Sequence, residues 1–240
     1  MKIAIVGAAG RMGKMLCALA QGTELDVVSK VDVAAGYDRE WAADAEGVVD
    51  FSFHAAVPPS IARAAAAGIP YLIGTTGLSD EEQNAVAEAA KAIPVVQSGN
   101  YSLGVNLLLE LVKKAASVLG PEYDIEIAEM HHRHKKDAPS GTALMLAKAA
   151  AAGRGAPDAF VYGRRGEVGE RPVGEIAIHA LRGGDVVGDH DVTFAADGEL
   201  VRLSHRATSR SCLSRGALRA ARWLAAQPAG VHTIAESLGL

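Results

Sequence analysis

The strongest chemical signal in the sequence is a cluster of basic side chains in the middle of the chain. Three of the eight histidines, His131, His132 and His134, fall within four positions, and Lys135 and Lys136 follow them. Histidine donates or accepts a proton near neutral pH, and a neighbouring lysine can hold a carboxylate or donate a proton itself. The cluster therefore predicts proton transfer next to an anionic substrate.

The turn that follows the cluster predicts an anion-binding helix start. Pro139 precedes Ser140, Gly141 and Thr142, and we expect a short helix to begin after Ser140. Backbone N–H groups at a helix start, together with a threonine hydroxyl, bind anions. One carboxylate on the helix start and a second on the basic cluster would describe a dicarboxylate. We expect the cluster to lie in a loop that follows a strand at Asp124–Glu129.

Two other interpretations of the cluster stay open. Adjacent histidines attract metals, but the segment has no HExxH pattern and no cysteine, and its cationic neighbours would repel a metal ion. We therefore expect no metal here. The other interpretation is a solvated basic loop, since runs of charge are often no more than that.

A glycine-rich segment near the N-terminus predicts a dinucleotide site. Gly7-Ala-Ala-Gly-Arg-Met-Gly13 follows an apolar strand pattern at Lys2–Val6 and opens a helical pattern at Arg11–Gln21. Glycines permit a sharp turn and the close approach of a pyrophosphate, and the helix start attracts its charge. The spacing GxxGxxG is a weaker signal than GxGxxG, and the alternative is a tight turn without a ligand.

An acidic residue near the end of the second predicted strand, Asp26–Val33, strengthens the dinucleotide hypothesis. Asp32 lies 19 residues after Gly13, a spacing at which an acid accepts hydrogen bonds from the adenine ribose. Its carboxylate would repel a 2′-phosphate, and Val33 stands where an arginine would favour the phosphorylated cofactor. We therefore expect NADH to be favoured over NADPH, a preference that Lys30 would soften if it points into the site.

Strands and helices alternate through the first hundred residues, which predicts a parallel sheet covered on both faces. Ligands bind beyond the carboxyl ends of such strands, so the loops Gly74–Gly77 and Ser98–Tyr101 are expected to contact the cofactor through backbone groups. The alternative is that both are ordinary connections. The remaining elements predicted in this half are strands at Val48–Phe53, Tyr71–Ile73 and Val95–Gln97, and helices at 58–67 and from the capping box Ser79-Asp-Glu-Glu82 to about Ala92.

The pattern changes in the second half, where antiparallel strands predict a second domain with an open sheet. Asp197-Gly198 is a hairpin signal between its last two strands. The predicted elements are a helix at Gly104–Leu119, strands at Asp124–Glu129, Glu175–Leu181, Val186–Phe194 and Glu199–His205, a long loop at about 154–174, and a final helix at Ser214–Ala226.

Composition limits the class of protein. The 240 residues suffice for one large domain or two modest ones, and a net charge of -4 gives no support to nucleic-acid binding. Cys17 and Cys212 stand alone, which favours a reducing compartment. The apolar run Lys2–Val6 is too short for a signal peptide, and no apolar stretch reaches the roughly 18 residues of a membrane helix. We expect a cytoplasmic protein that binds neither nucleic acid nor membrane.

The sequence resembles the family of 4-hydroxy-tetrahydrodipicolinate reductases, also called dihydrodipicolinate reductases, of lysine and diaminopimelate biosynthesis. The segment Glu129–Ala143, which contains His-His-Arg-His-Lys-x-Asp-Ala-Pro-Ser-Gly-Thr-Ala, is long and specific. Further matches follow the family's order along essentially the whole chain: Gly7–Gly13, Gly74–Gly77, Gly99–Asn106, Arg182–Gly188 and Ser204–Arg210.

The resemblance implies an α/β fold with an N-terminal Rossmann-type, doubly wound parallel sheet, and an α+β substrate-binding and oligomerisation domain with an open mixed sheet that builds a homotetramer. The dinucleotide-binding domain would be 1–102 plus 212–240, and the second domain 103–211. The implied reaction is the NAD(P)H-dependent reduction of 4-hydroxy-tetrahydrodipicolinate, a small cyclic dicarboxylate, via dihydrodipicolinate to tetrahydrodipicolinate.

The resemblance also assigns roles to residues. His131 is expected to be the catalytic histidine and Lys135 the general acid, while His132 contacts substrate and Gly141 and Thr142 hold a substrate carboxylate. The expected cofactor-binding residues are Gly7, Ala8, Ala9, Gly10, Arg11, Met12, Asp32, Gly74, Thr75, Thr76, Ser98, Gly99, Asn100 and Tyr101. Two departures stand out: the stretch 34–41 is short and divergent, and Ser98 replaces the alanine that other members often carry.

Two rival functions use the same fold. Another two-domain dehydrogenase of an amino-acid intermediate, of the diaminopimelate or homoserine type, would need its own substrate motif, which the sequence does not contain. A non-enzymatic NADH sensor would not need Lys135 together with the anion site at Ser140–Thr142.

Overall fold

The computed structural model describes residues 1–32 and 41–240. The expectations for Val33 and for most of the divergent stretch 34–41 lie outside the described residues. The chain divides into two compact units, residues 1–103 with 211–240, and residues 104–210. Within the described ranges, no helix is long and apolar enough to cross a membrane.

The elements follow one another in regular alternation at first and less regularly later. In chain order they are β1 (Lys2–Val6), α1 (Arg11–Ala20), β2 (Asp26–Val31), β3 (Gly47–Asp50), α2 (Val57–Ala67), β4 (Tyr71–Ile73), α3 (Asp80–Ala89), β5 (Pro94–Gln97), α4 (Leu103–Leu119), β6 (Asp124–His131), α5 (Gly141–Arg154), β7 (Val161–Tyr162), β8 (Ile176–Arg182), β9 (Gly188–Ala196), β10 (Glu199–Ala207), α6 (Ser211–Leu224), β11 (Gly230–His232) and α7 (Ile234–Leu238).

The first unit contains a six-stranded sheet in the order β11-β5-β4-β3-β1-β2, and every neighbouring pair is parallel. Helices α1 and α6 pack an apolar cluster around Ile5 on one face. Helices α2 and α3 pack a second cluster around Tyr71 on the other. Burial on both faces explains why the strands are continuous apolar runs. All the carboxyl ends meet at one edge, so the loops after β1 to β5 gather there.

The second unit contains a five-stranded mixed sheet in the order β10-β9-β6-β8-β7. Strands β10, β9 and β6 are antiparallel neighbours, whereas β6, β8 and β7 are parallel. Helices α4 and α5 cover one face with an apolar cluster that includes Ile125, Ile127 and Phe194. The predicted fold class, a Rossmann-type parallel sheet joined to a second unit with an open mixed sheet, is confirmed.

Three elements of the second unit differ from the sequence-based expectation. Strand β6 runs on to His131 instead of ending at Glu129, because polar side chains continue its alternation and pair with both neighbours. Helix α5 is 14 residues long instead of short, since its alanine run has high helix propensity but no amphipathic period. That helix is long enough for a crossover, which makes β8 parallel to β6 rather than antiparallel.

Other differences are smaller shifts of element ends. The hairpin at Asp197-Gly198 has the predicted two-residue loop, with Gly198 at φ 87°. Strand β3 and helix α3 end three residues early, α6 lies two to three residues earlier, and β9 begins at Gly188. Three short elements were not predicted: β7, β11 and α7, the last of which begins with a capping box of Thr233 and Glu236.

Candidate functional site

The glycine loop joins β1 to α1 at the carboxyl edge of the parallel sheet. The N–H groups of Gly7 and Ala8 both donate to Val31 O, at 2.9 and 3.1 Å. Gly10 is the N-cap of α1, no side chain caps this helix, and its first turn contains no acidic residue. The helix start therefore offers backbone donors and a positive dipole end to an anion without internal competition.

The glycines of this edge are also required by the protein's own packing. Gly7 adopts φ +81°, and a Cβ there would lie 2.4 Å from Phe51 O. A Cβ at Gly13 would lie 2.2 Å from Gly7 O, and one at Gly74 would lie 2.2 Å from the Phe51 ring. A side chain at Gly10 would meet only Gly7 O, at 3.2 Å. The glycines of Gly7–Gly13 were expected for a sharp turn and for the approach of a pyrophosphate, and close packing of the strand ends by itself requires Gly7 and Gly13.

Asp32 lies directly after β2 and is tied to the glycine loop. Its Oδ2 accepts a hydrogen bond of 2.6 Å from the backbone N–H of Ala9. A carboxylate has about four acceptor positions, so this bond leaves capacity for ribose hydroxyls. Of the neighbouring loop residues, Arg11 is exposed and Met12 is half-buried.

The loop after β4 is anchored by a buried carboxylate. Asp50, which is fully buried, accepts hydrogen bonds from Tyr71 Oη at 2.5 Å, Thr75 Oγ1 at 2.9 Å and Ser52 N at 2.9 Å. Burial raises the pKa of Asp50, and the hydrogen bonds from Ser52, Tyr71 and Thr75 oppose that shift. Because the Thr75 side chain is committed to Asp50, only its backbone remains for a cofactor. Thr76, by contrast, is exposed.

The loop after β5 is closed by its own polar side chains. Ser98 Oγ donates to Asn100 O at 2.9 Å and accepts from Asn100 N at 3.1 Å, and Asn100 Oδ1 accepts from Ser102 N. Tyr101 is buried and its hydroxyl donates to Ile73 O at 2.7 Å. A Cβ built at Gly99 would lie 3.8 Å from Thr76 Cγ2, so the two loops are adjacent. All the expected cofactor-binding residues thus lie at one edge of the sheet.

In the second unit, His131 is the last residue of β6 and not part of the following loop. Along this strand Ile125, Ile127, Glu129 and His131 alternate onto the buried face. The helix-covered face of the mixed sheet therefore changes from apolar to ionisable side chains toward this end.

Glu129 is the centre of this polar region, and it is 1% exposed. Arg182 from β8 donates to both of its oxygens at 2.9 Å, and Ser140 N donates to Oε1 at 3.0 Å. His131 Nδ1 lies 2.6 Å from Oε2. Burial would raise the pKa of Glu129, but the bonds from Arg182, His131 and Ser140 outweigh burial and hold it below its usual range.

His190 from β9 completes the buried group. Its ring centroid lies 5.2 Å from that of His131, and its Nε2 lies 3.1 Å from Ser140 Oγ. Burial, followed by the proximity of His131, lowers the pKa of His190 to about 4. This imidazole is therefore neutral at pH 7 and adds no charge beside His131.

The loop residues after His131 have partners of their own. Lys135 Nζ lies 2.8 Å from Asp137 Oδ2. Arg210 Nη2 donates to His132 Nε2 at 3.1 Å. Burial and the charge of Arg210 lower the pKa of His132, so this imidazole also favours its neutral form.

Ser140 caps helix α5. Its Oγ accepts a hydrogen bond of 3.2 Å from Ala143 N, and Gly141 and Thr142 are the first two residues of the helix. The predicted helix start is therefore present beside the basic loop. The polar groups brought together in this unit can hold an anion and move a proton.

Three residues of this region received no role from the sequence: Glu129, Arg182 and His190. Glu129 and Arg182 occur inside segments that the family resemblance identified. Their contact could not be predicted, because the two residues are 53 positions apart in the chain. One sequence signal could have indicated that Glu129 is buried: Glu129 and His131 continue the every-second-residue pattern of Ile125 and Ile127. Among residues 1–32 and 41–240, no group of three or more His, Cys, Asp or Glu side chains is arranged to hold a metal ion.

Comparisons with known proteins address both halves of the chain. Family models described as dihydrodipicolinate reductase, N-terminus, and dihydrodipicolinate reductase, C-terminus, match residues 1–101 and 104–238. A protein named 4-hydroxy-tetrahydrodipicolinate reductase from Anaeromyxobacter dehalogenans is 45% identical over 100% of this chain and 98% of its own length. One of the same name from Akkermansia muciniphila is 47% identical over 99% of this chain and 98% of its own.

A solved structure extends the likeness to the fold. The dipicolinate-bound dihydrodipicolinate reductase from Paenisporosarcina sp. TG-14 superposes with a TM-score of 0.77 at 21% identity, covering 97% of each chain. At that identity the superposition supports the architecture, while the sequence matches establish the relationship. With both family models matched and full-length relatives above 40% identity, the chain belongs to the dihydrodipicolinate reductase family.

Proposed function

We propose that this chain catalyses the NAD(P)H-dependent reduction of 4-hydroxy-tetrahydrodipicolinate, via dihydrodipicolinate, to tetrahydrodipicolinate in lysine and diaminopimelate biosynthesis. The observation that carries the proposal is the 45–47% identity, over essentially the whole chain, to relatives that bear the name of this reductase. The site residues inferred from the sequence lie where each unit offers the matching chemistry.

The first unit is suited to a nicotinamide dinucleotide. The uncapped start of α1 would hold the pyrophosphate, Asp32 the adenine ribose, and backbone groups of the loops at 74–76 and 98–101 the nicotinamide end. When bound, this cofactor supplies hydride to the substrate. We favour NADH over NADPH, because Asp32 would repel a 2′-phosphate.

The second unit is suited to the proton transfer that follows reduction. Reduction of a conjugated imine leaves an enamine whose charge develops toward the ring nitrogen and the adjacent carboxylate. Lys135, or His131 working with it, protonates that enamine. Cations placed where negative charge develops lower the barrier, and both side chains lie within the same polar end of this unit.

A dicarboxylate matches the two kinds of anion partner in this unit. The backbone N–H groups of Gly141 and Thr142 at the start of α5 would hold one carboxylate. His132 would contact the remainder of the substrate. The Paenisporosarcina relative is a dipicolinate-bound structure, which supports a substrate of this class.

We also propose that the protein is a cytoplasmic homotetramer assembled through the second unit. Its sheet face opposite α4 and α5 presents Leu181 and Leu200, which are 48% and 55% exposed. Exposed leucines on an open sheet face are typical of a surface that another subunit covers. Sedimentation of the purified protein at micromolar concentration should give a mass of four chains, and a monomer would contradict the assembly.

The reaction can be tested by following absorbance at the nicotinamide band while a synthase makes the substrate in situ. The proposal predicts oxidation of NADH that depends on the synthase, on its substrates and on this protein. Parallel assays with NADPH measure the cofactor preference. Absence of oxidation with both cofactors, in protein that is folded, would overturn the proposed function.

A further inference from the structure

We propose that Glu129 is a positioning residue that locks His131 in one tautomer, with hydrogen on Nδ1, so that Nε2 is the atom of this ring that exchanges a proton with substrate. The inference rests on the proposed function, which it extends to a residue without an assigned role. The arrangement that carries it is the bond from His131 Nδ1 to a buried carboxylate held by Arg182 and Ser140.

The hydrogen on Nδ1 follows from the chemistry of its partner. Glu129 has a pKa below its usual range, and an ionised carboxylate only accepts hydrogen bonds. The His131 nitrogen that lies 2.6 Å from Oε2 must therefore carry a hydrogen. In the neutral ring this leaves the lone pair on Nε2.

Glu129 itself is held with little freedom to rotate. Arg182 donates to both oxygens in a bidentate pair, and Ser140 N donates to Oε1. With His131, four hydrogen bonds satisfy the roughly four acceptor positions of a carboxylate. A rotation that kept the bond to His131 would break at least one bond to a buried donor, so the carboxylate fixes the direction of the imidazole.

The other side of the ring is shaped by Gly188. A Cβ at that position would come within 3.0 Å of His131 Nε2. The absence of a side chain there leaves the space beside Nε2 free of a methyl contact. Glu129 thus fixes the hydrogen on Nδ1, and Gly188 leaves room beside Nε2.

The groups that surround His131 on neighbouring strands add no unpaired charge among the described residues. They are Arg182 from β8, whose charge is balanced by Glu129, and the neutral His190 from β9; Lys135, in the following loop, lowers the pKa of His190 and is itself paired with Asp137. His132 differs from His131 in this respect, because its hydrogen-bond partner is the cation Arg210. Of these two adjacent histidines, His131 is the one whose ring nitrogen lies against a buried carboxylate.

The test begins with Glu129→Gln. An amide oxygen at the Oε1 position can accept from Arg182 Nη2 and Ser140 N, but the NH2 group then faces His131 Nδ1 and the donor Arg182 Nη1. That NH2 group favours the tautomer with hydrogen on Nε2, and the lost Arg182 bond is addressed by the double variant below. We expect kcat to fall by about 100-fold or more, while the KM for substrate and the Kd for NADH change by no more than about 3-fold. Glu129→Asp, which keeps the charge on a shorter arm, should recover part of kcat.

A direct readout of the tautomer does not depend on turnover. Nitrogen-15 NMR of histidine-labelled protein distinguishes Nδ1–H from Nε2–H, and His131→Asn assigns the signal. We expect Nδ1–H in the unaltered protein and in Glu129→Asp, and Nε2–H in Glu129→Gln. An Nε2–H ring in the unaltered protein would overturn the inference, whatever the kinetics.

A double variant and a matched control distinguish a purely structural role of Glu129 from the proposed positioning of His131. Glu129→Gln leaves Arg182 without a counter-charge, so Glu129→Gln with Arg182→Met removes both charges and should restore the thermal midpoint. If kcat returned with it, Glu129 would act only on stability and the inference would fail. Glu82→Gln alters a second carboxylate that lies 2.8 Å from a histidine Nδ1, that of His54, and should leave kcat unchanged.

The inference and the proposed function fail in different ways. If the unaltered protein oxidises neither NADH nor NADPH with substrate, the proposed function fails, and the tautomer measurement still decides the geometry. If the unaltered protein turns over and folded Glu129→Gln turns over equally fast, only the role of Glu129 is overturned.

Discussion

Lys135 Nζ lies 2.8 Å from Asp137 Oδ2, and this ion pair joins a side chain that is 20% exposed to one that is 64% exposed. The lysine lowers the pKa of the Asp137 carboxyl. Exposed ion pairs contribute little free energy, so we expect that, in the proposed reaction, a substrate carboxylate would replace Asp137 without a large penalty.

Lys135→Ala should reduce kcat far more than it weakens NADH binding, because the expected role of this lysine is in proton transfer. We expect a loss of about 100- to 10,000-fold in kcat, with the Kd for NADH, measured by nicotinamide fluorescence, within about 3-fold. Lys136→Ala, at the exposed neighbouring position, is the matched control. An unchanged kcat in folded Lys135→Ala would contradict the assignment.

Asp32→Ser should shift cofactor preference toward NADPH. The change removes the carboxylate that would bind ribose hydroxyls and repel a 2′-phosphate, and it weakens the tie to Ala9. We expect the ratio of kcat/KM for NADPH over NADH to rise about 10-fold. Asp26→Ser, at the exposed start of the strand that Asp32 follows, controls for loss of surface charge. A change of equal size in the cofactor preference of that variant would contradict the proposed role of Asp32.

Thr142→Val should act on substrate binding and leave chemistry largely intact. The hydroxyl at the start of α5 is expected to hold a carboxylate, a charged hydrogen bond worth about 1.5–3 kcal/mol. We expect the KM for substrate and the Kd of dipicolinate, used as a probe in titration calorimetry, to rise about 10-fold. A fall in kcat with unchanged KM and unchanged dipicolinate affinity would argue against this role.

His190 should make the fold sensitive to acid. Its pKa is about 4 in the folded chain against an ordinary 6.5, so between these values the unfolded chain binds a proton that the folded chain does not. The contribution of neutral His190 to the free energy of unfolding is therefore complete above about pH 6.5 and is lost as the pH falls toward 4. The total loss is about 3 kcal/mol.

Differential scanning calorimetry from pH 7 to about pH 4.5 tests this sign. The unfolding temperature of His190→Gln should fall less over that range than that of the unaltered protein. His134→Gln, which alters an exposed histidine of the same site, should retain the full decrease. Equal decreases in all three proteins would show that another group governs acid stability.

Much of the first unit is determined by local sequence. Its strands are apolar runs, its first turn is the glycine segment Gly7–Gly13, and helix α3 begins with a capping box at Ser79. Each of these signals involves only neighbouring residues, so the elements can be predicted with errors of a few residues at their ends. The basic cluster and the helix start at Ser140 were predictable for the same reason, because residue type and short spacing define both.

Only the tertiary structure decides which groups surround His131. Glu129, Arg182 and His190 come from three neighbouring strands, and pairing in register places side chains that are 50 or more positions apart within hydrogen-bonding or ring-contact distance. Local patterns carry no record of that register, and the polar end of β6 interrupted the apolar alternation by which the strand was predicted. The sequence alone therefore determined the expectation that proton chemistry belongs to residues 129–142. Burial and strand register determined which histidine lies against a carboxylate.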